Sequence, residues 1–416
     1  MTSEATVYIH LPGDGFVPAG ILEFLPARNQ SVFTYGRRYV QRPNAVPIDP
    51  VHLPLSFTGQ AVTPRGVPMF NALRDAAPDR WGRKVLGLLA GRPAETLTEF
   101  ELLTAHHSPR RIGALAFGPS PTSGPQSMAP WAGAQDLFAR DEAQLRELAP
   151  LVERIAGASE EELADLRGAL PDDAFLKALT SLYSVGGARP KAMVEFEGEP
   201  WIAKFPKGDD AWNEPLVEHA TMTLAARCGL DVAATRIAQV GGATVLLVRR
   251  FDRDREGQPQ HIVSGFTVMD VQEDGDWGSY QDLALAARRL GDDKAAQELF
   301  RRMAFNALCA NTDDHPRNHA FFVTRNQVRL TPAYDLVPRQ TRAARYDLAL
   351  RCGTYGPEAS TRNLLSATAP FGLPPAQARQ ILDEMRDVVA GWRTHFTQLG
   401  VPPRDMEELS QRFQAR

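Results

Sequence analysis

An aspartate and an asparagine separated by four residues, followed by a predicted strand hairpin and a second aspartate, constrain the fold of this 416-residue chain most. The pair is Asp313 and Asn318, and the second aspartate is Asp335. Between them, two short apolar runs flank Arg325-Asn326, which predicts a hairpin with a two-residue turn, where asparagine tolerates a positive φ. Such a hairpin would return Asp335 to the neighbourhood of the other two side chains. We therefore expect all three to meet in one site.

This order of side chains fits the chemistry of phosphoryl transfer. A carboxylate must orient the attacking hydroxyl group, while an amide and a second carboxylate hold the magnesium ion that bridges the nucleotide phosphates. The offset between Asp313 and Asn318 is that of the protein-kinase catalytic loop, and Asp335 takes the place of the metal-binding aspartate that follows it. The alternative is that Asp313 and Asp314 cap a helix end or lie in a solvated loop. The downstream Asn318 and Asp335 disfavour that alternative.

A second candidate element lies upstream, where a predicted helix over residues 175–183 ends shortly before Gly186 and Gly187. Adjacent glycines let backbone amides approach an anion closely, although such a pair before a strand hairpin also forms an ordinary turn. Lysine is rare in this chain, where arginine supplies most of the positive charge. Lys191 and Lys204, the latter on an otherwise apolar strand, are therefore expected to be present for their compact ammonium groups.

Together these motifs resemble the HipA family of serine/threonine kinases, the toxins of bacterial type II toxin–antitoxin pairs. The resemblance runs over nearly the whole chain, with the motifs in family order. Its further motifs are Phe70-Asn71-Ala72-Leu73, Ala77-Pro78-Asp79, Arg111-Ile112-Gly113-Ala114-Leu115, Ala203-Lys204-Phe205-Pro206, Arg250-Phe251-Asp252-Arg253 and Tyr334-Asp335-Leu336. It implies an α+β, protein-kinase-like fold of two lobes, with a strand-containing N-terminal region and a mainly helical C-terminal lobe.

The resemblance also implies a role for each site residue. Asp313 would be the catalytic base, and Asn318 and Asp335 would hold Mg²⁺. The residues expected at ATP are Gly186, Gly187, Ala188, Arg189 and Lys191 of the phosphate loop, Lys204 paired with Glu218, and Arg249, Phe251, His315, Asn318, Tyr334 and Asp335. Arg249 stands where the family leads us to expect an acidic residue. Ser184 matches a serine whose autophosphorylation inactivates the kinase, unless it simply ends a helix unmodified.

Two of these assignments have structural alternatives. Glu218 could be a surface carboxylate of its helix, in which case Glu214 is a possible substitute as the partner of the lysine. His315 and His319 have a spacing that is also found in zinc sites. Pro316 argues against one continuous helix that displays both imidazoles, so a zinc site is disfavoured.

Composition limits the possible classes of protein. A net charge of −4 gives no overall electrostatic drive toward nucleic acid, and arginine clusters such as Arg37-Arg38 and residues 339–345 are expected to be solvated faces. Three cysteines in so long a chain indicate reduced thiols and a cytoplasmic location. We expect no signal peptide and no membrane-spanning segment, because the N-terminus lacks a basic region and no apolar run approaches about 20 residues.

Turn and linker signals divide the chain. The predicted parts are an N-terminal HipA-type subdomain over 1–118, a linker over 119–133, helices with the phosphate loop and small-lobe strands over 134–252, and a helical catalytic lobe over 253–416. Strands are predicted over Thr6–Ile9 and Ile21–Leu25. Helices are predicted over 72–89, 137–155, 160–170, 280–290, 293–309 and 375–396.

The sequence thus predicts an ATP- and Mg²⁺-dependent serine/threonine protein kinase. The resemblance implies protein substrates, with aminoacyl-tRNA synthetases as the characterised class, whose phosphorylation slows translation and growth. It also implies a HipB-like helix-turn-helix antitoxin as partner, with DNA contacted mainly through that partner. Two alternatives stay open: a kinase of the same architecture that acts on a small molecule, and a catalytically idle nucleotide-binding co-repressor. The set of Lys204, Asp313, Asn318 and Asp335 argues against the idle form.

Overall fold

A computed structural model describes residues 3–105, 111–129, 142–159, 161–163, 165, 189–339 and 345–413. Several predictions fall outside these ranges. They are the helix over 175–183, Ser184, and the glycine loop residues Gly186, Gly187 and Ala188. The start of the helix predicted over 137–155 and most of that over 160–170 also lie outside the described residues.

The N-terminal part contains an antiparallel sheet of five strands. They are β1 Ser3–Leu11, β2 Gly15–Leu25, β3 Gln30–Tyr35, β4 Gln60–Val62 and β5 Leu115–Gly118, in the order β4-β3-β2-β1-β5. The two predicted strands lie inside β1 and β2, so both predictions are confirmed. Side chains such as Val7, Leu22 and Phe33 are buried in a hydrophobic core that belongs to this part of the chain.

Among its described residues, this part of the chain also contains four short helices. They are α1 Arg37–Val40, α2 Asn71–Asp75, α3 Arg80–Ala90 and α4 Glu99–Thr104, with 3₁₀ turns at Pro26–Arg28 and Ala94–Thr96. The prediction of one helix over 72–89 is wrong, because the chain breaks between α2 and α3. Pro78 lacks the N–H that a continuous helix needs, and the Asp79 side chain accepts a hydrogen bond from Arg80 N at 2.8 Å to begin the second helix.

The middle of the chain forms the small lobe. Its elements are α5 Glu142–Gly157, β6 Lys191–Phe196, β7 Glu199–Lys204, α6 Glu214–Arg227, β8 Thr235–Val240 and β9 Ala243–Arg249. The four strands make an antiparallel sheet in the order β6-β7-β9-β8. Glu197 and Gly198, with φ of 54° and 76°, make the two-residue turn that sets Lys191 opposite Lys204.

The C-terminal part is mainly helical, as predicted. Its helices are α7 Gly265–Met269, α8 Tyr280–Arg289, α9 Ala295–Cys309, α10 Thr361–Leu364, α11 Pro375–Ala390, α12 Trp392–Gln398 and α13 Pro403–Glu408, with 3₁₀ turns at Pro316–Asn318 and Ala369–Phe371. A small antiparallel sheet contains β10 Ile262–Ser264, β11 Ala320–Val323 and β12 Val328–Leu330, in that order. Within the described ranges, no helix has both the length and the apolar character needed to cross a bilayer.

Three details of this part differ from the predictions. Helix α9 begins at Ala295 rather than 293, because the Asp292 carboxylate accepts hydrogen bonds from the first backbone amides of the helix. The helix predicted over 375–396 is interrupted at Gly391, which separates α11 from α12. The hairpin of β11 and β12 is confirmed, but its turn does not use the positive φ that asparagine tolerates, since neither Arg325 nor Asn326 has a positive φ.

A buried aspartate joins the N-terminal part to the segment after β9. Asp252 accepts hydrogen bonds from Gly113 N at 2.8 Å, Arg250 Nη2 at 2.7 Å and Arg253 Nη1 at 2.9 Å. The two arginines also donate to the carbonyl oxygen of Arg111, at 2.9 and 2.8 Å. Burial alone would raise the pKa of Asp252, but the two guanidinium groups hold it at about 2. This ionised network fixes the chain where it passes from the small lobe into the helical lobe.

Candidate active site

Lys204 is at the centre of a buried ion-pair cluster between the lobes. It is the last residue of β7, and its Nζ lies 2.5 Å from Glu218 Oε1 and 2.6 Å from Asp335 Oδ1. Glu218 is 2% exposed on α6, so it is not a surface carboxylate of that helix. Asp335 follows the hairpin of β11 and β12 with a left-handed φ of 59°. One ammonium group therefore connects the small-lobe sheet, helix α6 and the segment after the hairpin.

Lys204 and Asp335 stay charged in spite of burial. Burial alone would raise the pKa of Asp335, but Lys204, Lys191 and Arg339 hold it far below its ordinary value. Burial would lower the pKa of Lys204, yet Asp335 and Glu218 raise it above its ordinary value. Lys191, across the β-sheet register from Lys204, has its pKa lowered to about 8 by burial and by that neighbouring ammonium. The two lysines and Asp335 thus form a strongly charged patch at the end of the sheet.

The loop after α9 carries Asp313 and Asn318. Helix α9 ends at Cys309 and is followed by Ala310, whose φ is 53°; Asn311 N then donates to Asn306 O at 3.0 Å. Asn318 lies in the 3₁₀ turn, and its Nδ2 donates to the carbonyl oxygen of Asp313 at 2.6 Å. This bond fixes the amide so that its Oδ1 remains available as a ligand. The Asp313 carboxylate is half-exposed, so a ligand can reach it.

Two groups contact the Asp313 carboxylate. Arg339 Nη2 lies 2.5 Å from its Oδ2, and His315 Nε2 lies 3.8 Å from its Oδ1. Arg339 was expected to belong to a solvated arginine face, and that prediction is wrong for this residue, because its guanidinium also approaches Glu214 Oε1 at 3.4 Å. No local sequence pattern predicts this contact, since Arg339 comes 26 residues after the aspartate it binds.

The neighbouring aspartate has a structural task. Asp314 is 1% exposed, and it accepts hydrogen bonds from Tyr280 OH at 2.5 Å and from Ala349 N at 2.6 Å. Asn306 Nδ2 in turn donates to Tyr280 OH at 2.8 Å. Burial raises the pKa of Asp314 to about 7, even though these hydrogen bonds oppose the shift. Asp314 therefore anchors the loop to α8 and α9, which leaves Asp313 as the carboxylate that faces the cleft.

A chain of alternating charges runs beside the cleft. Arg189 donates to both carboxylate oxygens of Asp210, at 2.9 and 2.6 Å, and its Nη2 lies 3.4 Å from Glu214 Oε1. The same Glu214 oxygen also faces Arg339. Burial raises the pKa of Glu214, and the two arginines oppose that shift. The glutamate at 214 therefore binds arginines, while the one at 218 binds the lysine.

Three of the residues expected at ATP are divided between two places. The Phe251 and Tyr334 rings lie 5.4 Å apart, and Tyr334 OH donates to the carbonyl oxygen of Arg317 at 2.6 Å. Arg249, at the end of β9, instead has a half-exposed side chain whose Nη2 lies 2.8 Å from Glu199 Oε1. The structure thus brings the two aromatic residues together and places the Arg249 guanidinium in a surface ion pair.

The donor set suits a magnesium–nucleotide complex. Mg²⁺ prefers oxygen ligands and usually takes one or two from the protein, with the others from phosphates and water. The ionised Asp335 carboxylate and the fixed Asn318 amide oxygen supply ligands of that kind. Lys204 and Lys191 supply positive charge for phosphate oxygens. The residues present therefore fit ATP and Mg²⁺.

Comparison with known proteins agrees with this arrangement. The profile of the HipA-like C-terminal domain matches residues 183–392, just over half of the chain. The serine/threonine-protein kinase toxin HipA of Shewanella oneidensis is 30% identical over 188 residues, which cover 37% of this chain and 42% of the relative. A putative kinase of Haemophilus influenzae is 29% identical over 136 residues, covering 29% of this chain and 40% of the relative. The chain thus spans less than half the length of these curated relatives.

A solved structure extends the likeness to the fold as a whole. It is the complex of HipA, HipB and operator DNA from the toxin–antitoxin system of Shewanella oneidensis MR-1. The match covers 99% of this chain and 96% of the other, with a TM-score of 0.64 and 20% sequence identity. The predicted α+β, kinase-like fold of two lobes is thereby confirmed. The profile match and the shared fold together establish that this chain belongs to the HipA family.

Proposed function

We propose that this protein is an ATP- and Mg²⁺-dependent kinase that phosphorylates serine or threonine hydroxyl groups of a protein substrate. The observation that carries the proposal is the pair of contacts made by Lys204, to Glu218 and to Asp335. They bring a phosphate-binding cation and a metal-binding carboxylate to the same point between the lobes. Relatives named as kinases support the same chemistry.

Asp313 acts as the base in this proposal. The substrate hydroxyl oxygen attacks the γ-phosphorus, the bond from that phosphorus to the β–γ bridging oxygen breaks, and ADP leaves with the bonding electrons. The hydroxyl proton passes to the Asp313 carboxylate, which is half-exposed and thus within reach of a docked side chain. Asp314 holds the loop in place through its buried bonds to Tyr280 and Ala349.

Asn318 and Asp335 hold the magnesium ion. When bound, Mg²⁺ neutralises the phosphate oxygens and aligns the γ-phosphoryl group with its acceptor. The Lys204 ammonium group binds the phosphates. Glu218, which is nearly fully buried, keeps this ammonium group in position. Arg189 and Lys191 complete the positive side of the site. Phe251 and Tyr334 offer apolar contact for the adenine ring, with Arg249 at the rim of that side.

The cellular role follows from the family. We propose a protein substrate of the aminoacyl-tRNA synthetase class, whose modification slows translation and growth. A HipB-like helix-turn-helix antitoxin would be the partner, with DNA contacted mainly through it, in keeping with a net charge of −4. Autophosphorylation of Ser184 would repel the nucleotide and switch the enzyme off. Cys228, Cys309 and Cys352 are buried free thiols, which favours a reducing compartment such as the cytoplasm.

The test is a phosphotransfer assay with purified protein, Mg²⁺, ATP labelled at the γ-phosphate and a lysate of the host. We expect label on serine or threonine of a small number of lysate proteins and on Ser184, with sites mapped by mass spectrometry. Label on metabolites alone would favour the small-molecule kinase. Nucleotide binding without any transfer would favour the idle co-repressor, and absence of nucleotide binding would contradict the proposal altogether.

A further inference from the structure

Arg339 occupies a position in the cleft that no expected role explains. Its Nη2 lies 2.5 Å from Asp313 Oδ2, and its Nη1 lies 3.4 Å from Glu214 Oε1. Its Nε is buried, and among the described residues it has no hydrogen-bond acceptor. A guanidinium group has five donors in a planar fork that suits phosphate oxygens. The Arg339 side chain is 34% exposed, so a further acceptor can approach it from solvent.

The backbone fixes where this guanidinium can be. Arg339 comes four residues after Asp335, and the intervening Leu336 and Val337 are buried, at 4% and 2% exposure. Arg339 N donates to the carbonyl oxygen of Ala310 at 2.9 Å, at the point where α9 ends and the Asp313 loop begins. The arginine is thus tied to both segments that carry the proposed base and the proposed metal ligand. Its positive charge acts on Asp335 as well as on Asp313.

Two other cations of the site have fixed partners. Lys204 is bound to Glu218, which is 2% exposed, and Arg189 is bound to Asp210 by two hydrogen bonds. Arg339 instead has the half-exposed Asp313 as its main partner. Water can solvate that carboxylate when the arginine leaves, so this ion pair is readily exchanged for one with a more highly charged group. The exchange would also free the carboxylate to accept a proton.

We propose that Arg339 is a further catalytic residue of this site: it contacts the γ-phosphoryl group when ATP is bound, and holds Asp313 when no nucleotide is bound. The charge that develops on the three outer oxygens during transfer needs a donor of this kind. Arg339 leaves Asp313 as it turns to the phosphate, so the base becomes free only when a γ-phosphate is present. This inference rests on the proposed kinase function.

The test compares ligands that differ in the γ-phosphate. Dissociation constants for ADP with Mg²⁺ and for a non-hydrolysable ATP analogue with Mg²⁺ are measured by calorimetry for wild type, Arg339→Gln and Arg339→Lys. We expect Arg339→Gln to raise the dissociation constant of the analogue at least about tenfold, which is the effect of losing a charged hydrogen bond. The dissociation constant of ADP should change less than about threefold. Arg339→Lys should recover part of the difference. The Asp313→Asn variant, which lacks the competing charge, should bind the analogue more tightly than wild type.

The control is Arg351→Gln. Arg351 also contacts two carboxylates, at 2.6 Å to Asp276 and 3.8 Å to Asp282, and its side chain has similar exposure, but neither carboxylate belongs to the proposed site. The Arg351→Gln variant should alter neither dissociation constant. If Arg339→Gln and Arg339→Lys keep the wild-type preference for the analogue over ADP, Arg339 serves only as an ion-pair partner of Asp313 and the inference is overturned. If the wild type binds neither ligand, the kinase proposal itself fails.

Discussion

Lys204 and Asp335 are in direct contact, with 2.6 Å between Nζ and Oδ1. The cation proposed to hold the nucleotide phosphates is therefore paired with the carboxylate proposed to hold the metal. Binding of ATP and Mg²⁺ would replace this contact by contacts of each group to the ligand. Glu218 keeps the lysine in place during that exchange, because its carboxylate is nearly fully buried and lies 2.5 Å from the ammonium.

Removing the lysine charge should affect stability as well as activity. Lys204→Met leaves Glu218 buried without its cation, and loss of one member of a buried ion pair costs about 3–5 kcal/mol of unfolding free energy. The double variant with Glu218→Gln should recover much of that stability but no phosphotransfer. Urea denaturation and the transfer assay measure the two effects separately. Arg236→Met, which breaks an exposed ion pair with Glu197, is the control and should cost less than about 1 kcal/mol. Equal stability of Lys204→Met and wild type would contradict the burial argument.

Replacing the proposed base should separate binding from chemistry. Asp313→Asn keeps the shape of the side chain but cannot accept the hydroxyl proton, so transfer should fall by about 10²- to 10⁴-fold. Nucleotide binding should be retained or tightened, as measured by calorimetry. Asp276→Asn is a suitable control, since this exposed aspartate also pairs with an arginine, Arg351. A variant that loses ATP binding but keeps its turnover per bound nucleotide would rule out the role of base.

The sequence predicted the parts of this site that depend on local spacing. The offset between Asp313 and Asn318 and the hairpin that returns the chain to Asp335 both follow from short segments with clear turn and strand patterns. The Lys204–Glu218 contact was predicted from the family resemblance, and the two side chains do meet.

The remaining contacts depend on packing between distant segments, which no local pattern encodes. Asp314 is anchored by Tyr280, 34 residues earlier, and by Ala349, 35 residues later. Arg339 reaches Asp313 only because its own backbone is bound to Ala310. The break at Gly391 was also missed, because apolar positions continue through both helices. Periodicity alone therefore could not reveal the break.

The buried aspartate between the N-terminal part and the kinase lobes should be important for stability. Asp252→Asn removes the charge that balances Arg250 and Arg253, and a buried ion pair broken on one side costs about 3–5 kcal/mol. We expect a lower denaturation midpoint in urea and faster limited proteolysis near Gly113, whose amide donates to this carboxylate. The exposed Asp274→Asn is the matched control and should resemble wild type. Unchanged denaturation and proteolysis of Asp252→Asn would show that the network does not hold these parts together.

Stability should also fall in mild acid, partly because of His261. Its Nε2 lies 2.8 Å from the carbonyl oxygen of Ile48, and burial lowers its pKa from 6.5 to about 4. The unfolded chain therefore binds a proton between these pH values that the folded protein does not, so this group removes stability as the pH falls. His261→Gln can keep a donor for the carbonyl but cannot titrate. The free energy of unfolding is measured by urea denaturation between pH 6 and 4.5. Its dependence on pH should be shallower for His261→Gln than for wild type, by about 1 kcal/mol per pH unit. Parallel curves for the two proteins would mean that His261 titrates alike in the folded and unfolded states.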